Sequence, residues 1–276
     1  GLSLLWIGEY NQYVQTSLGM SKLVRIFFSS WAAFFFMFWI IVAFFALVLT
    51  RLFFGKDKDR QFIIFLYRVI GKVIAFSTFF RVERKIHAKY DPKESYVVVS
   101  NHQTMMDIPA NVLGSPESIV FKFLGKQEAD RVPFFGYLIQ HLFILVDRKS
   151  EASRKNSFQK MKAEMKKGFS ILIYVEGTRN RTNEHLKDFY DGAFRLAIET
   201  QKPIVVNTLV GIKALNPPTG FFTYRPGTMQ AHWEEAIPTE GLSLKDIDLL
   251  KEKVASLMVH RLTQAQNRAP KKLVKN

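Results

Sequence analysis

Three short clusters hold side chains able to do chemistry. The first is Asn101-His102-Gln103-Thr104-Met105-Met106-Asp107, directly after the apolar run 95–100. Histidine is the side chain best suited to take a proton near neutral pH. A neighbouring carboxylate would hold its tautomer and stabilise the imidazolium. A spacing of five would set His102 and Asp107 about 140° apart on one continuous helix, where they could not easily meet. They meet only if His102 precedes the helix, in the turn. Thr104 to Asp107 has the form of a capping box, T-x-x-D, which places a helix start at Thr104 and leaves His102 outside it. Asp107 thus has two compatible readings, orienter of the histidine and cap of the helix.

The second cluster is Glu176-Gly177-Thr178-Arg179, after the apolar run 170–175. Glycine permits a tight turn, and turn amides beside an arginine make a phosphate or carboxylate site. An ordinary strand-to-helix turn with a solvated arginine would carry the same four residues. The third runs from Lys126 through Val132-Pro133-Phe134-Phe135-Gly136 to Arg148, which comes straight off the apolar run 143–146. Taken alone, Lys126 and Arg148 read as surface charges. His87, His141, His185, His232 and His260 show no partner spacing that supports a role and read as structural or surface residues. No H-E-x-x-H pattern occurs, and no metal site is expected. Zero cysteines exclude a disulfide scaffold, a thiolate zinc site and a cysteine nucleophile. The G-x-S-x-G elbow of a hydrolase is also missing.

These clusters need a scaffold. The runs 95–100, 118–121, 143–146, 170–175, 204–210 and 228–233 read as strands, and 104–113, 150–167, 189–201 and 243–265 as helices. Such alternation predicts an α/β domain with a mixed, mostly parallel sheet flanked by helices. In such domains sites form where a strand end opens into a helix, which is where the first two clusters lie.

Upstream the pattern differs. Residues 26–50 carry no charge and are rich in Phe, Trp, Ile and Val. As a helix they span roughly 37 Å, enough for a hydrocarbon core of about 30 Å. The run exceeds a secretory signal core and lacks a cleavage site after it, so it reads as an uncleaved membrane helix. Gly1 stands where a methionine would start a chain and reads as a processed or trimmed start. Residues 61–80 are apolar but interrupted by Gln61, Arg68 and Lys72 on one helical stripe. That suits a basic amphipathic helix in the membrane interface, or the second arm of a re-entrant hairpin. The chain therefore divides into membrane-anchoring helices at 1–82, a catalytic domain at 83–267 and a basic tail at 268–276. Cations are denser after the first helix than before it, which predicts that the domain faces the cytoplasm. With 39 Lys and Arg against 24 Asp and Glu, the net charge of +15 suits an anionic membrane surface and phosphate-bearing substrates. Nucleic acid is not expected, because the anchor already gives the cations something to face.

Taken together, the clusters resemble the glycerolipid acyltransferases, specifically the 1-acyl-sn-glycerol-3-phosphate O-acyltransferase family. Its N-H-x-x-x-x-D block appears as NHQTMMD, its arginine-terminated block as PFFGYLIQHLFILVDR, and its E-G-T-R block as VEGTRNR followed by Phe189 and Gly192-Ala193-Phe194. The fourth block, V-P-I-V-P in the family, reads Lys202-Pro203-Ile204-Val205-Val206, without the second proline. The resemblance covers roughly residues 85–235. It implies a membrane enzyme that moves an acyl group from a thioester to the sn-2 hydroxyl of lysophosphatidic acid. His102 would be the general base and Asp107 its orienter. Lys126, Arg148, Glu176, Gly177, Thr178 and Arg179 would bind the acceptor. No cofactor is implied, only acyl-coenzyme A or acyl-acyl carrier protein as co-substrate. The implied location is a membrane, the inner one in a bacterium. Two alternatives stand beside this: another lyso-lipid or lyso-aminolipid acceptor, and a non-catalytic lipid-binding protein on the same fold.

Overall fold

The uncharged run is helical past both of its ends. In the computed structural model, which describes residues 22–55, 59–132, 134–217 and 223–268, helix α1 covers Lys22–Phe54, 33 residues. Among the described residues one helix is long and apolar enough to cross a membrane, and it is α1; only 17% of its most apolar window is buried. A soluble core helix would hide most of that surface. The side that is hidden carries Ile40, Ala43 and Leu47, spaced as one helical stripe.

A second helix, α2, runs over 59–77 with one π-helical turn at Leu66–Ile70. Arg68 and Lys72 are exposed, as the stripe requires, while Phe62, Ile63, Leu66, Tyr67 and Ile70 are buried. That buried face joins the core of the following domain, and the Tyr67 hydroxyl donates to the Phe121 carbonyl at 2.6 Å. Trp31 and Trp39 of α1 both donate indole N–H groups to Ser77, at 2.7 and 3.1 Å. The helical pair is thus continuous with the domain. The expected division at 82/83 falls inside strand β1, Phe80–Ile86. Residues 1–21 and the tail beyond 268 lie outside the described residues.

The sheet has seven strands in the order β1-β7-β6-β2-β5-β3-β4. They are β1, β2 (Val97–Ser100), β3 (Phe121–Lys126), β4 (Phe143–Val146), β5 (Ser170–Tyr174), β6 (Ile204–Val210) and β7 (Gly227–Trp233). Every pairing is parallel except β6 with β7. Helices cover both faces, as strands buried on two sides demand. Val98 of β2 points into one core, with α1, α2, α3 (Asp107–Gly114), α4 (Phe135–Leu142) and α7 (Ile212–Leu215). Val97 and Val99 point into the other, with α5 (Glu151–Lys166), α6 (Gly192–Thr200) and α8 (Ile247–Arg268).

Several elements differ from the sequence expectation. Helix α7 was not expected, and α6 starts at Gly192 rather than 189. Strand β1 was not expected, because FRVERKI is mostly charged; it is the sheet's edge, where charges face water. Strand β3 starts at Phe121 rather than 118 and runs through Lys122. That lysine is neutralised by Glu164 of α5 at 2.8 Å and lies over the Phe169 ring. Helix α3 starts at Asp107, three residues later than the capping box implied.

Candidate active site

Strands β2 and β5 are parallel neighbours in register, Ser100 opposite Tyr174. The turns that follow them, carrying His102 and Glu176, therefore leave the sheet side by side. Strands β3 and β4 pair with Lys126 opposite Val146, which brings Lys126 and Arg148 to the same edge. All eight residues singled out from the sequence lie at the C-terminal ends of parallel strands, where open α/β sheets place their ligands.

The turn after β2 is held by a network of hydrogen bonds. Asn101 is buried and acts as one more strand residue: its amide donates to the Leu209 carbonyl and accepts from the Leu209 N–H, at 3.0 and 2.8 Å. The His102 N–H donates to Glu176 Oε1 at 2.8 Å, and the His102 carbonyl accepts from the Asn180 N–H at 2.6 Å. Glu176 is fully buried, and its other oxygen accepts from the Lys187 N–H at 2.9 Å. Burial raises its pKa, and these two N–H donors oppose the rise. Glu176 therefore staples the two turns together; both its oxygens are engaged by backbone.

Asp107 orients the histidine and ties down the turn ahead of the helix, while the helix itself starts after Met106 with no side-chain cap. Its Oδ2 accepts from His102 Nδ1 at 2.7 Å, from the Gln103 N–H at 2.5 Å and from the Thr104 N–H at 3.0 Å. Its Oδ1 accepts from the Thr104 hydroxyl at 3.2 Å. A carboxylate can only accept, so Nδ1 carries the hydrogen and Nε2 keeps the lone pair. Asp107 is fully buried, whereas the His102 side chain is 19% exposed and open to a reactant.

Beneath the histidine lies a buried polar layer. The His102 ring stacks on Tyr174, centroids 4.1 Å apart and planes 14° from parallel. Burial pushes the Tyr174 phenol well above its usual range, so it stays neutral. Asn111 donates to the Tyr174 oxygen at 3.2 Å and to the Asp107 carbonyl at 2.8 Å. Asn207 of β6 donates to Asn111 Oδ1 at 2.5 Å. Sequence reasoning missed all three. Two left a signal: Asn207 interrupts an apolar strand, and Asn111 is four residues from Asp107, on the same helix face.

The cations are held more loosely. Arg148 donates to the Gly177 carbonyl, and Arg154 donates to the Arg148 carbonyl at 2.6 Å. Gly177 has φ +67°, and a Cβ there would meet the Tyr190 ring at 2.7 Å, so this turn requires glycine. The Thr178 hydroxyl accepts from Lys187 Nζ at 2.7 Å. Among the described residues, neither the Arg179 guanidinium nor the Lys126 ammonium has a hydrogen-bond or ion-pair partner. Lys213 of α7 is a further cation, also missed. Burial lowers its pKa while Glu176 and Asp107 pull it back up, which sets it within electrostatic reach of the turn. The arrangement is a desolvated His–Asp pair beside uncompensated positive charge, suited to deprotonating a hydroxyl on an anionic molecule.

Residues 80–209 match the family model described as Acyltransferase. The putative 1-acyl-sn-glycerol-3-phosphate acyltransferase acl-2 of Caenorhabditis elegans is 29% identical over 167 residues, 59% of this chain and 57% of that protein. The human 1-acyl-sn-glycerol-3-phosphate acyltransferase beta is 33% identical over 158 residues, 56% and 55% respectively. The chain spans a little over half the length of these relatives. In fold it is similar to the crystal structure of the 1-acyl-sn-glycerophosphate (LPA) acyltransferase PlsC from Thermotoga maritima. The TM-score is 0.74 at 21% identity, covering 91% of this chain and 100% of that one. Residues 80–209, the part that carries the site, are thus the part similar to the Acyltransferase family. Several of the relatives it resembles are named as 1-acyl-sn-glycerol-3-phosphate acyltransferases.

Proposed function

We propose that the protein transfers a fatty acyl group from a thioester to the sn-2 hydroxyl of lysophosphatidic acid, giving phosphatidic acid. The observation that carries this reading is the 2.7 Å bond from His102 Nδ1 to Asp107, which leaves Nε2 as the free base. An alcohol is too weak an acid to attack a thioester unaided. As it attacks, its proton passes to His102 Nε2, and Asp107 stabilises the imidazolium. Collapse of the tetrahedral adduct breaks the carbon–sulfur bond, and the proton leaves with the thiol. Arg179, Lys126 and Arg148 receive the acceptor's phosphate, arginine matching it through paired N–H donors. Coenzyme A and acyl carrier protein both present the required thioester as co-substrate, and no resident cofactor enters the scheme. Helix α1 holds the protein at the membrane, and the denser cations after it support a cytoplasmic domain.

The test is acyl transfer in detergent micelles, with lysophosphatidic acid and both thioesters offered in parallel beside His102→Ala. Phosphatidic acid from the wild type, with at least about a 10²-fold loss in the variant, is expected. No phosphatidic acid from either donor would overturn the reaction. Undiminished turnover by His102→Ala would remove His102 as the base.

A further inference from the structure

A second cluster of chemistry-bearing side chains lies at the opposite pole of the sheet. Strand β7 runs antiparallel to β6 and parallel to β1, so the ends of β1 and β7 point away from the ends of β2 and β5. There His87, just past β1, meets His232 and Glu234 at the end of β7. The three ligand-bearing groups offer one atom each, all within 4.8 Å of one another. We propose that His87, His232 and Glu234 form a site for one divalent transition-metal ion of the zinc class. This inference does not rest on the acyl-transfer reading.

The geometry is specific. His87 Nε2 and His232 Nδ1 face each other at 3.2 Å. Two nitrogens each about 2.0–2.1 Å from a tetrahedral zinc lie roughly 3.3 Å apart, so the two rings already stand at ligand spacing. The backbone is pinned on both sides. The His87 N–H donates to the Trp233 carbonyl at 2.9 Å, the Tyr90 hydroxyl to the Glu234 carbonyl at 2.6 Å, and the Glu234 N–H to the Val206 carbonyl at 2.9 Å.

The surrounding groups select the ligating atoms. Gln230 Nε2 donates to the Glu83 carboxylate at 3.0 Å, which turns Gln230 Oε1 toward His232 Nε2, also at 3.0 Å. An amide oxygen only accepts, so His232 carries its hydrogen on Nε2 and aims the Nδ1 lone pair at His87. A metal-bound histidine is oriented in this way, through its other nitrogen. Glu234 is held by both nitrogens of the Arg261 fork, at 2.5 and 2.9 Å, and each of its oxygens retains a further lone pair. Without metal, His87 Nε2–H donates to His232 Nδ1. On binding, His87 switches to the tautomer with its hydrogen on Nδ1, and its freed Nε2 lone pair goes to the ion. His87 is exposed, which leaves the fourth position to water. Two imidazoles and one carboxylate favour zinc over magnesium or calcium. Arg261 and Lys85 add opposing positive charge nearby, and Glu234 supplies the negative charge that offsets it.

The experiment uses the full chain in detergent, without a histidine tag and stripped of metal. Zinc alone is added, excess is dialysed away, and bound metal is counted for the wild type, His87→Ala, His232→Ala and His102→Ala. Cobalt(II) absorption reports a tetrahedral environment independently. Expected is one equivalent in the wild type and in His102→Ala, with at least about a tenfold weaker affinity in the His87 and His232 variants. Because His87 is exposed, its replacement tests the site with little risk to folding. Substoichiometric zinc in the wild type, or equal binding by His87→Ala, would overturn the proposal.

Discussion

The turn from His102 to Asp107 and the cationic rim beside it are built in opposite ways. In the turn, each residue that positions His102 is bonded to a neighbour, and Asp107 alone accepts three N–H groups and a hydroxyl. On the rim, Arg179 and Lys126 have no partner among the described residues. The contrast teaches a division of labour. A base must stand in one place before the reactant arrives, so its cost is met in folding. A cation meant for a substrate phosphate gains most when no protein carboxylate already holds it. Substitutions in the turn should therefore act on kcat and stability, and substitutions on the rim on KM alone.

The largest effect should come from Asp107→Asn. The amide can still bond the histidine, but it offers either tautomer a partner and does not stabilise the imidazolium. A kcat loss of about 10²–10⁴-fold is expected in the transfer assay. Chemical denaturation should show a stability loss of ~1–3 kcal/mol, because buried turn N–H groups lose a charged acceptor. Next comes Arg179→Ala. Acceptor KM should rise about 10–100-fold, the equivalent of one charged hydrogen-bonding group, with stability unchanged within ~0.5 kcal/mol. A fall in stability as large as that of Asp107→Asn would erase the distinction between the two regions.

Tyr174→Phe sharpens the comparison, since it keeps the ring under His102 and removes only the oxygen that Asn111 reaches. Stability should fall by ~1 kcal/mol with kcat reduced only a few-fold, measured by denaturation and steady-state rates. The smallest effect lies outside both regions, at Glu164. Burial raises its pKa, but bonds and charge from Lys122 and Lys167 outweigh burial, leaving it lowered. Its ionised form thus stabilises the fold above its unfolded pKa of about 4.3, and that contribution is lost as pH falls through the folded value. Glu164→Gln should cost ~0.5–1 kcal/mol at pH 7, and its deficit should shrink as pH falls below that unfolded value in pH-resolved melting curves.

Much of this was legible before any coordinates. Alternation of apolar runs with helical stretches gave the mixed, mostly parallel sheet, because strands buried on both faces read as continuous Val and Ile. The capping pattern placed His102 outside the helix, which is what lets it meet Asp107. Edge strand β1 was hidden, since a strand half in water carries the charges of a loop. Tyr174 and Asn207 were hidden for another reason: the partner they share, Asn111, is 63 and 96 residues away, and spacing arguments reach only a few. Glu176, expected among the acceptor ligands, is buried with both oxygens bonded to backbone N–H groups of two turns, an arrangement set by the neighbouring strand. His87 and His232, 145 residues apart, met only once β1 paired with β7.

The most direct measurement is the split of rate constants for His102→Ala and Arg179→Ala, with lysophosphatidic acid varied at saturating thioester. The account predicts that His102→Ala loses kcat with acceptor KM nearly unchanged, and that Arg179→Ala raises KM with kcat nearly unchanged. Loss of kcat in Arg179→Ala together with full turnover in His102→Ala would contradict it.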